Sequence, residues 1–536
     1  MLMCKKKKVA LVFTGAVSLG SFEAGVAYEL VKYIREQNDC ELDIDVIVGS
    51  SAGALTGALT ALSLVFGTDP EVLRQAWTSV KLEDLMKLKP GDRSLLSSSK
   101  VGELIAGYIG PPQKGTAKYP VWDKGVNLVV VATNLDGIKY RIHRASDPEF
   151  SISAIGYEDA FKFQIEPGFS EWGRLKDAVQ ASSAYPVAFE HKSIRRGNNE
   201  YWRLARYNFI EREERAFHYS DGGIVNNQPL NKAVEVVSEL PYSCPENGSK
   251  RIFLVIDPSP PLEEAEGRKD YGIYDVVSKA LWTIPRNQTL YKDLLLLEKV
   301  NRRLRWKNSF ISAMADILNN CTISPDEVCR LKELCRDIAL FKGQKMHGVT
   351  PDNYLETEER RIRNLYKNEI GRAKNDDFFI KYCFLLDQVA DLRNKQEISV
   401  EMIKPLNPDK ELAGVIYGNF GGFLDTDFMR HDFYVGQTYA RRWLDKDGDL
   451  HSLIHCTKKT VSPLVRWKFF QKVFDNSIPV LVEDIAPRLL SLDRDLPKQF
   501  AGVFIFLKMF VVSVGKYAVK KSIGWTRENL FPKSPV

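Results

Sequence analysis

The ten residues Val46 to Leu55, V-I-V-G-S-S-A-G-A-L, constrain this chain more than any other stretch. They read as a buried strand that runs through a G-x-S-x-G turn into a helix. Gly49 and Gly53 stand two residues to either side of Ser51, where a sharp strand-to-helix turn needs residues without a Cβ so that the chains can approach. Such a turn pushes a serine hydroxyl out at the top of a sheet. It also sets that serine at a helix N-terminus, where backbone N–H groups and the helix dipole favour developing negative charge. Ser51 is therefore the candidate nucleophile. A five-residue pattern of small residues equally fits a tight strand–helix connection with no chemistry, so the neighbouring motifs must decide.

Upstream, Val9 to Phe13 is a short β-type run that empties into Gly15-Ala-Val-Ser-Leu-Gly20, and Ser21 to Arg35 follows with helical apolar spacing through Phe22, Val26, Leu30 and Ile34. A loop so placed aims its N–H groups at whatever sits beside the helix start, which suits a phosphate or an oxyanion. Its G-x-x-x-x-G spacing matches a P-loop, but Ser21 stands where the lysine belongs and Phe22 where Ser or Thr belongs, which argues against an NTPase. Ile44 to Val48 forms the next strand and delivers Ser51, so loop and serine come from consecutive strands expected to pair in parallel.

Further along, Val126 to Thr133 reads as a strand that pairs with Tyr140 to His143 across a turn at Asn134-Leu-Asp-Gly137, and Trp172 to Ser182 reads as a helix. Asp221 ends a strand and opens a glycine turn, Asp221-Gly222-Gly223. Arg251 to Ile256 is another buried strand, closed by Asp257-Pro-Ser-Pro-Pro261, the first expected domain boundary. After it the sequence is mostly charged and helical, including Tyr291 to Arg305 and Glu356 to Leu386. A second break falls at Pro405 to Pro408, followed by Phe420-Gly-Gly-Phe423 and a helix expected over Phe433 to Leu444.

At 536 residues the chain exceeds one ordinary core and calls for two or three lobes. A net charge of +6 from 75 basic and 69 acidic residues is too small an imbalance to suggest a nucleic-acid partner. The eight cysteines include no C-x-x-C pair, so no metal site or disulfide scaffold is indicated, and a reducing, cytoplasmic setting is the expectation. Lys5 to Lys8 before an apolar run resembles the start of a secretory signal, yet the apolar run is only five residues and fits a strand. No stretch reaches the ~18 uncharged apolar residues of a membrane span. The nearest, Phe500 to Gly515, is interrupted by Lys508. With Lys516, Lys520 and Lys521 behind it, that segment has the makeup of a peripheral helix at an anionic membrane surface, or of a buried C-terminal helix.

Taken together, the glycine loop at Gly15 to Gly20, the elbow Gly49-Ser-Ser-Ala-Gly53 and the turn Asp221-Gly222-Gly223 with Asn226, Asn227 and Pro229 resemble the patatin-like phospholipase family. Ala181-Ser-Ser-Ala-Tyr-Pro186 is similar to that family's Ala-Ser-rich segment ahead of a proline. The resemblance implies a three-layer α/β/α lobe with a mostly parallel sheet over residues 1–261. Beyond it lie a helical region over 262–404 and a C-terminal helical region over 405–536 that packs back on the lobe. It implies a phospholipid or lysophospholipid acyl hydrolase without a cofactor. Asp221 would orient and deprotonate Ser51 directly, and backbone N–H groups of Gly15, Ala16 and Val17 would form the oxyanion hole. Gly20, Gly49, Gly53, Gly222 and Gly223 are the motif glycines.

Two departures stand out. Ala16 and Val17 replace two of three successive glycines, and Leu19 replaces a basic residue. Two alternatives remain at this point: a lipid-binding scaffold with little catalysis, and a Ser-His-Asp hydrolase using His191 or His218, the histidines nearest the motifs in sequence.

Overall fold

The computed structural model describes residues 7–445 apart from 37–41, 86, 88–93, 95, 113–116, 145–146, 187, 198–214, 241–250, 260–275, 277–283, 321–322, 344–349, 374, 391, 393–396 and 416–418. The expected C-terminal segment Phe500 to Gly515, its trailing lysines and five of the eight cysteines lie outside the described residues. Among the described residues no helix is long and apolar enough to cross a membrane.

Among the described residues, eight strands make one sheet. β1 (Lys7–Phe13), β2 (Leu42–Ser50), β3 (Val126–Arg144), β4 (Asp147–Ile165), β5 (Lys192–Arg196), β6 (Arg215–Ser220), β7 (Ile252–Ile256) and β8 (Ser399–Ile403) run in the order β5-β6-β3-β2-β1-β7-β8, with β4 paired to β3. The central strands are apolar on both faces, as a sheet sandwiched between helices requires: Leu11, Val12, Phe13, Val46, Ile47, Val48, Val129 and Val130 are all fully buried. β2 and β3 pair in parallel from Val46 opposite Asn127 to Ser50 opposite Val131, which fixes where Ser51 leaves the sheet. The helices α1 (Gly20–Glu36), α2 (Ala52–Phe66) and α3 (Glu71–Thr78) cover this centre, and the whole is the α/β/α architecture expected.

The hairpin expected at Asn134 to Gly137 is not there. β3 runs straight through to Arg144 and pairs with β4 along nearly its whole length, so the chain reverses only between Arg144 and Asp147. Asn134 Oδ1 accepts the N–H groups of Asp136 and Gly137, each at 3.1 Å, and Gly137 takes φ +70°, so the turn-like residues make a bulge instead of a turn. The register shifts between Thr133 and Ile138 and pairing then resumes.

Contacts group the chain into two compact units, one of Met1–Val9, Val234–Phe253 and Tyr291–Val400, the other of Ala10–Ala233, Leu254–Leu290 and Glu401–Val536. In the first, the helix Ile284–Asn320 from Tyr291 onward, with Pro325–Gly343, Pro351–Leu365 and Asp376–Val389, encloses a core that includes Ile311, Tyr354, Ile362, Phe379 and Phe384. Their ends follow local chemistry: Thr350 Oγ1 and Asn375 Oδ1 each accept an N–H three residues on, and Pro351 opens its helix. Asp387, fully buried, is held by Lys307 at 2.9 Å and Arg361 at 2.6 Å, and Arg361 also reaches Glu358, so the charge is paired within the core. Burial pushes the Cys335 thiol up to about 11 and Cys383 up to about 12, which keeps both as inert thiols.

In the second unit the helix Thr426–Leu444 crosses α1 at two glycines. A Cβ on Gly25 would run into the Phe433 carbonyl, and one on Gly436 into the Phe22 carbonyl, so the backbones touch directly. Phe433 and Phe22 are buried at the crossing, and Gln437 donates to Glu29 at 2.8 Å beside it. Gly436→Ala is expected to destabilise the protein by about 2–3 kcal/mol, an overpacking effect at a crossing that cannot widen without uncovering its core. The midpoint of denaturant unfolding measures it. A midpoint equal to wild type would show that the crossing opens without cost.

Candidate active site

Ser51 sits where β2 gives way to α2, with φ +54° and ψ −123°, a conformation an L-residue holds only under constraint. The flanking glycines are explained by contact. A Cβ at Gly49 would strike the Gly53 carbonyl, and one at Gly53 would lie 2.6 Å from the Thr14 carbonyl oxygen. The constraint comes from the Ala-Ser segment. Ser51 N–H donates to Ser182 Oγ at 2.8 Å, Ser182 Oγ donates to the Val131 carbonyl at 2.6 Å, and Ser183 Oγ donates to the Ser51 carbonyl at 3.4 Å. The helix Trp172–Ser182 thus ends by tying the strained turn to the neighbouring strand.

Asp221 follows β6 and caps the short helix Gly222–Ile224. Its Oδ1 accepts the Gly223 N–H at 2.7 Å, its N–H donates to the Ala184 carbonyl at 2.9 Å, and its carbonyl accepts from Thr133 Oγ1 at 2.7 Å. Gly222 is required because a Cβ there would meet the Val131 carbonyl and Ser50 Oγ. Held on three sides, Asp221 directs Oδ2 at Ser51, whose Oγ donates to it at 2.5 Å. Both side chains are nearly closed off from water, at 6% and 3% exposure.

The glycine loop lies against this pair. A Cβ on Gly15 would clash with Asn227 Oδ1 and stand 3.2 Å from Ser51 Cβ. The three amides expected of an oxyanion hole are not equivalent: Gly15 N–H already donates to the Asn227 carbonyl at 2.9 Å, whereas neither Ala16 nor Val17 donates a backbone hydrogen bond to a described residue. Val17 takes φ +54°, the conformation a glycine there would adopt freely, so the loop keeps that shape with a β-branched residue in it. Such strain costs of order 1–3 kcal/mol. Val17→Gly removes it but adds chain entropy worth about 0.5–1 kcal/mol. The expected net effect is a gain in stability of about 0–2.5 kcal/mol, read as a rise in the unfolding midpoint. A fall would mean that Val17's packing outweighs its strain.

The sequence missed the residues that hold this loop from outside. Ser18 Oγ donates to the Asn419 carbonyl at 2.5 Å and accepts the Gly422 N–H at 3.0 Å, so a segment near residue 420 is clipped to the centre of the loop. Phe420 packs edge-on against Tyr185, with ring centroids 5.4 Å apart, beside the Ala184 carbonyl that positions Asp221. Leu19, in the place of the basic residue, is fully buried, and a Cβ on Gly414 would press to 2.8 Å from its Cδ2. Gly414 and Ala413 in turn donate to Asp432 at 2.9 and 2.6 Å, and burial pushes that carboxyl up to about 6. The Phe-Gly-Gly-Phe pattern was the available signal, since paired glycines mark close backbone approach.

The two histidines stand together and elsewhere. Their rings lie 5.1 Å apart, and His218 Nδ1 is 3.1 Å from Asp136 Oδ2 on a half-exposed face. Ser51 reaches Asp221 with no histidine between them. Among the described residues there is no cluster of His, Cys, Asp and Glu that could hold a metal ion.

No curated protein sequence matches the chain. The crystal structure of VipD from Legionella pneumophila is similar with a TM-score of 0.26 and 11% identity, over 98% of this chain and 87% of that one. A likeness of that size leaves the fold to stand on the description above. Residues 11–234 match the family model described as patatin-like phospholipase. The loop, the elbow and the acidic turn all fall inside that span.

Proposed function

We propose that the protein is a serine acyl-ester hydrolase acting on phospholipids or lysophospholipids through Ser51 and Asp221. The observation that carries this reading is the direct hydrogen bond from Ser51 Oγ, on a strained elbow, to Asp221 Oδ2, both groups being buried. A serine hydroxyl is a weak nucleophile at neutral pH, and a carboxylate shielded from water and fixed within hydrogen-bond reach is the base it needs. Ser51 Oγ attacks the ester carbonyl carbon as its proton passes to Asp221 Oδ2. The carbonyl oxygen becomes an oxyanion held by the Ala16 and Val17 N–H groups, each worth roughly 3–4 kcal/mol at such a site. Collapse breaks the bond to the alcohol oxygen, which takes the proton back from Asp221 and leaves. Water then attacks the acyl-serine, giving its proton to Asp221, and the fatty acid departs as the proton returns to Ser51 Oγ.

The reading is tested by covalent labelling. A fluorophosphonate probe is expected to modify Ser51 of the wild-type chain, located by peptide mass, and to leave Ser51→Ala unlabelled. Equal labelling of both would remove Ser51 as the nucleophile.

A further inference from the structure

We propose that the outward stripe of the long helix Ile284–Asn320 is a docking surface for an anionic lipid bilayer. At about 100° per residue, Tyr291, Leu295, Trp306, Phe310 and Ile317 fall within an arc of about 60° to either side of Trp306. All five are exposed, from 47% for Phe310 to 65% for Trp306. The opposite side of the helix, through Leu297, Leu304, Ile311, Ala315 and Leu318, is buried, so the outward stripe is a second apolar face and not a misplaced core. Monomeric soluble proteins seldom leave a contiguous row of large apolar groups in water without a use for it.

Charge selects the occupant. Lys292, Lys299, Arg302 and Arg303 lie in the same arc, whereas of the three acids of this helix Asp293 lies on the far side, and Glu298 and Asp316, just outside the arc at about 80° from Trp306, are paired with Arg305 and Arg372. None of those four bases forms an ion pair with a described residue. Arg302 lies over the Trp306 ring at 5.9 Å. The stripe from Tyr291 to Ile317 is about 39 Å long. A second copy of the chain laid on it would set base against base. An anionic bilayer accepts both features at once, with aromatic and aliphatic side chains entering the interface and bases meeting the headgroups.

The full chain carrying Ser51→Ala, which binds without turnover, is mixed with phosphatidylcholine vesicles and with vesicles holding about 30% phosphatidylserine, and pelleted protein is measured. The unmodified stripe is expected to partition onto the anionic vesicles and to lose that binding as salt rises. Arg302→Glu with Arg303→Glu, and separately Trp306→Ala with Phe310→Ala, are each expected to weaken it by at least about tenfold. All four side chains are exposed, so melting temperature is expected to hold. Should either pair unfold the helix, Lys292→Glu with Lys299→Glu carries the same test. Absence of binding to anionic vesicles overturns the proposal, as does equal binding by variants that remain folded. Variants that lose self-association or capture of an acidic protein, with vesicle binding intact, overturn it in favour of a protein partner.

Discussion

Asp221→Asn is expected to lower kcat for ester hydrolysis by about 10³- to 10⁴-fold while the protein stays folded. The amide keeps the shape of the carboxylate and can still accept the Gly223 N–H, but it cannot take the proton that Ser51 Oγ now donates at 2.5 Å. Ser51→Ala is expected to be at least as damaging. The double variant should lose no more than the worse single one, because the two groups act as one unit and what remains comes from binding and the oxyanion loop. His218→Ala is expected to leave most activity, since that ring pairs with Asp136 while Ser51 donates directly to Asp221. A collapse at His218 with folding retained would replace the direct serine–aspartate pair by a histidine-mediated triad. Turnover of a short-chain p-nitrophenyl ester and of a fluorescent phospholipid, with circular dichroism on each variant, reads all of these.

A chain ending at Pro261 is expected to aggregate and show no turnover. Its sequence carries every recognised motif, so the outcome rests on packing. The cut removes β8, whose carbonyl at Ile403 accepts the Asp257 N–H at 3.1 Å, and leaves an edge of the sheet open beside β7. It also strips the helix Thr426–Leu444 from α1, exposing a surface that includes Phe22 together with the glycine crossing. The loop at Ala16 to Leu19 loses the two hydrogen bonds through Ser18 as well. Size-exclusion chromatography and ester turnover of the truncated chain decide. A soluble, active fragment would show that the first 261 residues carry a sufficient core alone.

The pairing of Ser51 with Asp221 was legible in the sequence because the backbone around each is enforced locally. Gly49 and Gly53 are needed for close approach, and Asp221 is followed by glycines that a tight turn demands. The apolar runs of β2, β3 and β7 and the helix Trp172–Ser182 were legible for the same reason. What escaped depends on partners distant in sequence. The bulge at Asn134 to Gly137 has the composition of a hairpin turn, and only the long pairing of β3 with β4 shows that the strand continues. β4 itself offered a signal in the alternation of buried Phe161, Phe163 and Ile165 with Lys162 and Gln164, but the run is only five residues long. That Gly15 N–H is taken by Asn227, and Ser18 by residues 419 and 422, could not be read from spacing, since both are contacts across the fold.

The clip on Ser18 gives the protein an order of events in its own synthesis. Ser18 and Asn419 are 401 positions apart, and Gly422 follows three residues later, so the loop beside Ser51 cannot be fastened until most of the chain has been synthesised. At roughly 5–20 residues per second that interval is about 20–80 s. For the second half of it, once residue 223 has been added, the elbow, the acidic turn and the loop all exist as translated sequence, yet the loop lacks its outer support. The loop beside Ser51 thus gains its outer support only once the segment at residues 419–422 has been made.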